Sequence, residues 1–177
     1  EKIADLGQPY RVTPILLAAL LNHNQQRGPA EIPDKRRYTF KHVLRVAHEH
    51  GLQVQPPPAH PFNSLLPLRL ATLRPDLILP IFRQCWRDGQ AIDTPESLLP
   101  LCGAEALEQA VQAKQILREN TERALKLGVF GVPTVVVEGE VFWGFDSFPH
   151  LKAFLERKDP VDPLLVQKWE TLPASAS

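Results

Sequence analysis

Apolar residues recur at helical spacing through most of the chain, and the period changes once. Over 36–50, Phe40, Val43, Leu44 and Ala47 fall at i, i+3, i+4 and i+7, one face of a helix that Gly51 closes. Asn63 is placed to cap a helix running to about Leu73, and Pro75 suits the first position of the next. There Ile78, Ile81, Phe82 and Cys85 repeat the spacing until Gly89. Thr94-Pro95-Glu96 opens a short helix. The longest pattern runs from Ala104 to Leu127, with Leu107, Ala110, Val111, Lys114, Leu117, Thr121 and Ala124 on its stripe and Gly128 after it. Before all of these, Pro9 to Val12 reads as a short strand, Pro14 to Leu21 as an apolar helix, and Asn22 to Lys35 as loop.

The period shifts at Gly131. Thr134-Val135-Val136-Val137 is β-branched throughout, Glu138-Gly139-Glu140 makes a turn, and Val141-Phe142-Trp143 returns as the second strand of a hairpin. Asp146 or Ser147 then caps a last helix with Phe148, Leu151 and Leu155 facing inward. The order predicts an α/β or α+β fold whose helical block is inserted between sheet strands.

Of the 177 residues, 44% are hydrophobic and 23% charged, which suits one domain of ordinary size or one compact domain carrying a large insertion. Lys plus Arg and Asp plus Glu number 20 each, which argues against nucleic acid or an anionic membrane as the main partner. The longest apolar run falls far short of the ~20 residues a bilayer span needs. Cys85 and Cys102 form no C-x-x-C pair, so a reducing compartment is expected. Seven of the 18 prolines fall within 55–61 and 159–173, which reads as loop and tail. No methionine occurs and Glu1 to Leu6 read like the end of a helix, so the chain is expected to begin inside a longer protein, with a signal peptide left open.

Three places could carry chemistry. In Phe130-Gly131-Val132-Pro133-Thr134 a proline stands where a strand begins. It is either an ordinary trans proline or a cis proline that leaves the Val132 backbone free to pair with an extended peptide. In Gly144-Phe145-Asp146-Ser147 the acid is either a plain N-cap or a partner for a ligand amine, beside a helix N-terminus able to hold a carboxylate. Lys35 ends the proline-stiffened loop Gly28 to Asp34 and is either solvated or paired with an anionic ligand. No metal site is expected, because His42, His48 and His50 do not share one helical face and His60 stands alone. Cys85, on an apolar stripe, reads as a buried small hydrophobe, and Cys102 has no basic neighbour in the sequence to activate it.

Read in order, Gly28 to Lys35, His60-Pro61-Phe62-Asn63, Ile81 to Trp86 followed by Asp93, and Gly128 to Thr134 with a hairpin ending in Phe142-Trp143-Gly144-Phe145-Asp146 resemble the 2-hydroxychromene-2-carboxylate isomerase family. That family is close to kappa-class glutathione transferases, within the DsbA-like thioredoxin superfamily. The resemblance covers the chain to about Leu155. It implies an α/β thioredoxin-like fold of DsbA/kappa type, mostly helical: residues 1–20 and 128–157 as the thioredoxin-like domain, 21–127 as the inserted helical domain, 158–177 as a proline-rich tail. It also implies a cytoplasmic homodimer in aromatic catabolism, with glutathione as cofactor and a small aromatic substrate isomerised through reversible addition of the glutathione thiolate.

The family's glutathione contacts fall on Val132 and Pro133 for the cysteinyl part, Asp146 for the γ-glutamyl amine and Lys35 for the glycine carboxylate. Gln26 stands where such enzymes carry an amide, usually Asn, and Asn63 falls near the substrate pocket. Phe145 replaces a serine that would meet the γ-glutamyl carboxylate. The first strand and the catalytic Ser-Pro-Tyr segment would lie upstream of Glu1, so no catalytic residue is assigned within the chain. A kappa-like transferase, a thiol–disulfide oxidoreductase and a non-catalytic thioredoxin-like binding module are the alternatives.

Overall fold

The computed structural model describes residues 2–173 and divides the chain into two compact units, Glu1–Gln8 with Pro133–Ser177, and Pro9–Val132. Residues 9–20 and 128–132, expected with the thioredoxin-like domain, thus belong to the helical unit.

The helical unit carries α1 (Leu17–His23), α2 (Pro33–Glu49), α3 (Leu65–Leu73), α4 (Ile78–Phe82), α5 (Pro95–Ala110) and α6 (Lys114–Lys126). Pro9 to Val12 form no strand; Tyr10 and Val12 are half exposed and no strand lies beside them among the described residues. The expected loop 22–35 contains the end of α1, a 3₁₀ turn at Pro29–Glu31 and the first residues of α2, which starts on a proline whose missing N–H costs nothing there. Gly51 follows α2 at φ +64° as expected. Its stripe is only partly covered: Ala47 is buried, whereas Val43 and Leu44 remain exposed.

Leu70, Ile81, Cys85, Ile92, Leu98 and Ala106 meet in one apolar cluster, against which Phe62 and Trp86 pack. α4 runs on into a π-turn at Arg83–Arg87, where the Gln84 amide donates to the carbonyls of Ala91 and Ser97, both at 2.7 Å. The expected single helix over 104–127 is two. Its first half belongs to α5, capped by Thr94 and bent at Gly103, whose φ of 77° and ψ of 166° suit only glycine. Between α5 and α6, Val111, Gln112 and Ala113 donate to carbonyls three residues back. This tighter turn rotates the stripe, putting Val111 into solvent and Ala113 fully inside. On α6 the buried Thr121 hydroxyl accepts the Leu16 N–H at 3.1 Å and donates to the Leu117 carbonyl at 2.8 Å, tying the approach to α1 onto α6.

The other unit holds a 3₁₀ turn at Lys2–Leu6, a hairpin of β1 (Thr134–Val137) and β2 (Glu140–Trp143), α7 (Phe148–Leu155) and α8 (Pro163–Glu170). The hairpin pairs Thr134 with Trp143 and Val137 with Glu140. Its two-residue turn, Glu138-Gly139, has φ of 52° and 89°, the twist that flanking strands require. Leu151 of α7 is buried, Phe154 lies against Phe142 at 5.4 Å, and Arg157 closes a bidentate pair with Glu138 at 2.7 and 2.8 Å. The stretch expected as tail is not all loop. Asp162 accepts the Leu164 N–H at 2.9 Å, Pro163 takes the first helical position, and α8 follows. Glu1 and residues 174–177 of the expected tail lie outside the described residues.

Candidate functional site

The turn between β2 and α7 is set by its sequence. Gly144 donates to the Pro133 carbonyl at 2.9 Å, one residue beyond the last ladder pair, and turns with φ +88°. Ser147 Oγ donates back to the Gly144 carbonyl at 2.9 Å. The Asp146 carboxylate lies over Gly144 so closely that a Cβ there would collide with Oδ1. Neither Asp146 nor Ser147 caps α7 through its side chain. The plain-cap alternative for Asp146 therefore fails: its carboxylate is exposed, with no hydrogen bond or ion pair among the described residues. Pro133 belongs to this same unit. The Val132–Pro133 bond is trans; the cis peptide among the described residues is His60–Pro61. Val132 is 42% exposed, and no hydrogen bond engages its backbone among the described residues, leaving a donor and an acceptor open.

In the helical unit, Lys35 lies on the first turn of α2 and lines an open groove of about 470 Å³ with Pro29, Asp34, Tyr38 and Thr39. Its ammonium makes no ion pair among the described residues. Gln26 is exposed, and its backbone N–H donates to the Leu21 carbonyl at 2.8 Å. Asn63 is exposed too, but its Oδ1 accepts the Leu65 N–H at 3.1 Å, so the side chain is occupied in starting α3.

One cluster escaped the sequence reading. Arg36 donates to the His60 carbonyl at 2.7 Å and lies 5.2 Å from the Phe40 ring centre. The His60 ring meets Phe40, Phe62 and Trp86 edge-on at 5.5, 6.0 and 5.5 Å. Its Nδ1 is buried without a hydrogen-bond partner. The signal was spread over three segments, with Arg36 on the apolar side of a helix read mainly for its hydrophobic stripe. Burial, helped by the Arg36 charge, lowers the His60 pKa below the ordinary 6.5. The unfolded chain then binds this proton more readily than the folded one. Stability should fall as pH drops from about 6.5 toward the folded pKa, by at most about 1.4 kcal/mol per pH unit. Urea unfolding at pH 7.5 and 5.5 checks this; His60→Gln should reduce the difference, and an undiminished difference would assign the effect elsewhere.

The two cysteines are free. Burial, with the charge of Asp93 adding to it, pushes the Cys85 thiol up to about 11. Cys102 is also raised by burial, although the Arg74 charge opposes this, so a basic group not adjacent in sequence does reach it. Neither is an activated thiol. Among the described residues, no group of three or more His, Cys, Asp or Glu side chains could hold a metal ion. No described helix is long and apolar enough to cross a membrane.

Comparison with known proteins gives four consistent results. The family profile described as DSBA-like thioredoxin domain matches residues 9–156. A Caenorhabditis elegans protein named glutathione S-transferase kappa 2 is 26% identical, over 83% of this chain and 78% of its own length. Glutathione S-transferase kappa 1 of Rattus norvegicus is 25% identical, over 90% and 78%. A solved structure of 2-hydroxychromene-2-carboxylate isomerase superposes with a TM-score of 0.75, at 23% identity, covering 97% of this chain and 91% of the other.

Proposed function

The chain belongs to the DSBA-like thioredoxin domain family, and from that premise we propose that it is a glutathione-dependent isomerase acting on a 2-hydroxychromene-2-carboxylate-like intermediate of aromatic degradation. The observation that carries this is the Gly144–Ser147 turn, where an acid stands exposed and unpaired instead of capping the helix it precedes. Such a carboxylate suits a ligand ammonium. Asp146 would hold the γ-glutamyl amine, Lys35 the glycine carboxylate, and the open Val132 backbone, before Pro133, the peptide of the cysteinyl residue. Gln26 is left to add an amide contact and Asn63 to border the aromatic substrate. The chemistry that bound glutathione supplies is a thiolate nucleophile. The solved relative carries the isomerase activity in its name, which favours that substrate class.

A transferase is the second reading, favoured by two relatives that both bear the name glutathione S-transferase kappa. Conversion of a chromene carboxylate without consumption of glutathione separates the two. Cys85, buried and with a raised pKa, gives no support to thiol–disulfide exchange. Two free cysteines agree with a reducing compartment, and we place the protein in the cytoplasm as a homodimer.

Calorimetric titration of the full-length protein with glutathione tests the ligand assignment. Lys35→Ala and Asp146→Ala should each weaken binding about tenfold, ~1.4 kcal/mol, as expected for losing a bond to a charged group. Unchanged affinity in both variants would overturn it.

A further inference from the structure

We propose that the outward face of α2 binds single-stranded nucleic acid. The chain's net charge of +0 hides a local concentration of cations: Lys35, Arg36, Arg37, Lys41 and Arg45 fall within eleven residues that contain no acid. Arg37, Lys41 and Arg45 succeed one another at i, i+4 and i+8, a row on one side of the helix spaced about 6 Å apart. All three are exposed, and none has an ion pair among the described residues. Four other exposed arginines are paired, Arg74 with Asp76, Arg87 with Asp88, Arg118 with Glu122 and Arg157 with Glu138, whereas Arg11, Arg27 and Arg123 stand apart from one another in the sequence and make no such row. The two acids of α2, Asp34 and Glu49, stand at its two ends.

Beside the row, Tyr38 and His42 are stacked, with ring centres 6.0 Å apart and planes 9° from parallel. Tyr38 is 66% exposed, so one large ring is held flat in solvent. A cationic track flanked by an exposed ring pair fits a flexible polyanion carrying stackable bases. An acidic polypeptide would satisfy the cations but give the rings no use. A lipid surface needs several apolar side chains to insert, and α2 offers one beside the row, Leu44 at i+7 from Arg37, while Val43 lies on the packed side with Phe40 and Ala47.

Fluorescence anisotropy with a labelled oligothymidylate of about twenty nucleotides tests the surface. At low salt the full-length protein should bind with a dissociation constant of about 10 micromolar, and log affinity should fall against log salt with a slope of about −2 for three phosphate contacts. Replacing Arg37, Lys41 and Arg45 together by Ala should flatten that slope and weaken binding at least tenfold. Tyr38→Ala should weaken it about tenfold while Tyr38→Phe retains it, with circular dichroism confirming that each variant is folded. Absence of binding at low salt, or a triple variant that binds as tightly, would overturn the proposal. So would polyglutamate that competes as well as unlabelled oligothymidylate, which would make the face a site for acidic polypeptides.

Discussion

Leu98→Ala is expected to cost the helical unit about 2–5 kcal/mol. Leu98 is fully buried, in the cluster that joins α3, α4 and α5 through Leu70, Ile81 and Cys85. Truncation removes the transfer free energy of the lost methyl groups and leaves a cavity among side chains held by several elements, so collapse is limited. Against a typical total of about 5–15 kcal/mol, this is a large share. Urea unfolding followed by circular dichroism should show a lower midpoint at unchanged slope. Leu98→Met, which nearly conserves volume, should cost less than about 1.5 kcal/mol. A loss below about 1 kcal/mol for the alanine variant would mean that the cluster can close over the gap.

The second large effect is expected from Gly144→Ala, which meets two obstacles. The φ of +88° is strained for any residue with a side chain, at about 1–3 kcal/mol. The new methyl group would also meet the Asp146 carboxylate and push it aside. On the glutathione assignment, affinity should then drop about as far as in Asp146→Ala, tenfold or more. The two changes should not add. In an Asp146→Ala background, Gly144→Ala should keep its conformational cost and lose most of its effect on binding. Full additivity in binding would show that Asp146 is not the group through which Gly144 acts.

Much of the helical unit was legible because its pattern is periodic. Phe40 to Ala47 and Ile78 to Cys85 each mark a helix face, and Gly51 and Gly89 stop the chain with positive φ. What escaped was local backbone geometry that leaves the period intact. The stripe from Leu107 to Ala124 runs without a gap, yet the tight turn at 111–113 divides it. The opposite failure occurred at 163–170, where proline content suggested tail. Pro163 at a first helical position favours α8, and the Asp162 cap was the sign to weigh. At the candidate site, Asp146 and Lys35 stood out by motif. The Arg36–His60 contact could not, since it joins residues 24 positions apart through a backbone carbonyl.

The division of the chain also has a temporal side. Residues 9–132 form one continuous stretch, whereas the other unit draws on 1–8 and 133–177. During synthesis, everything the helical unit needs has been made before the first residue of the hairpin exists. Its helices are local in sequence and can form quickly, while the N-terminal segment waits for partners more than a hundred residues downstream. On the ribosome, the helical unit is thus the one that can fold first.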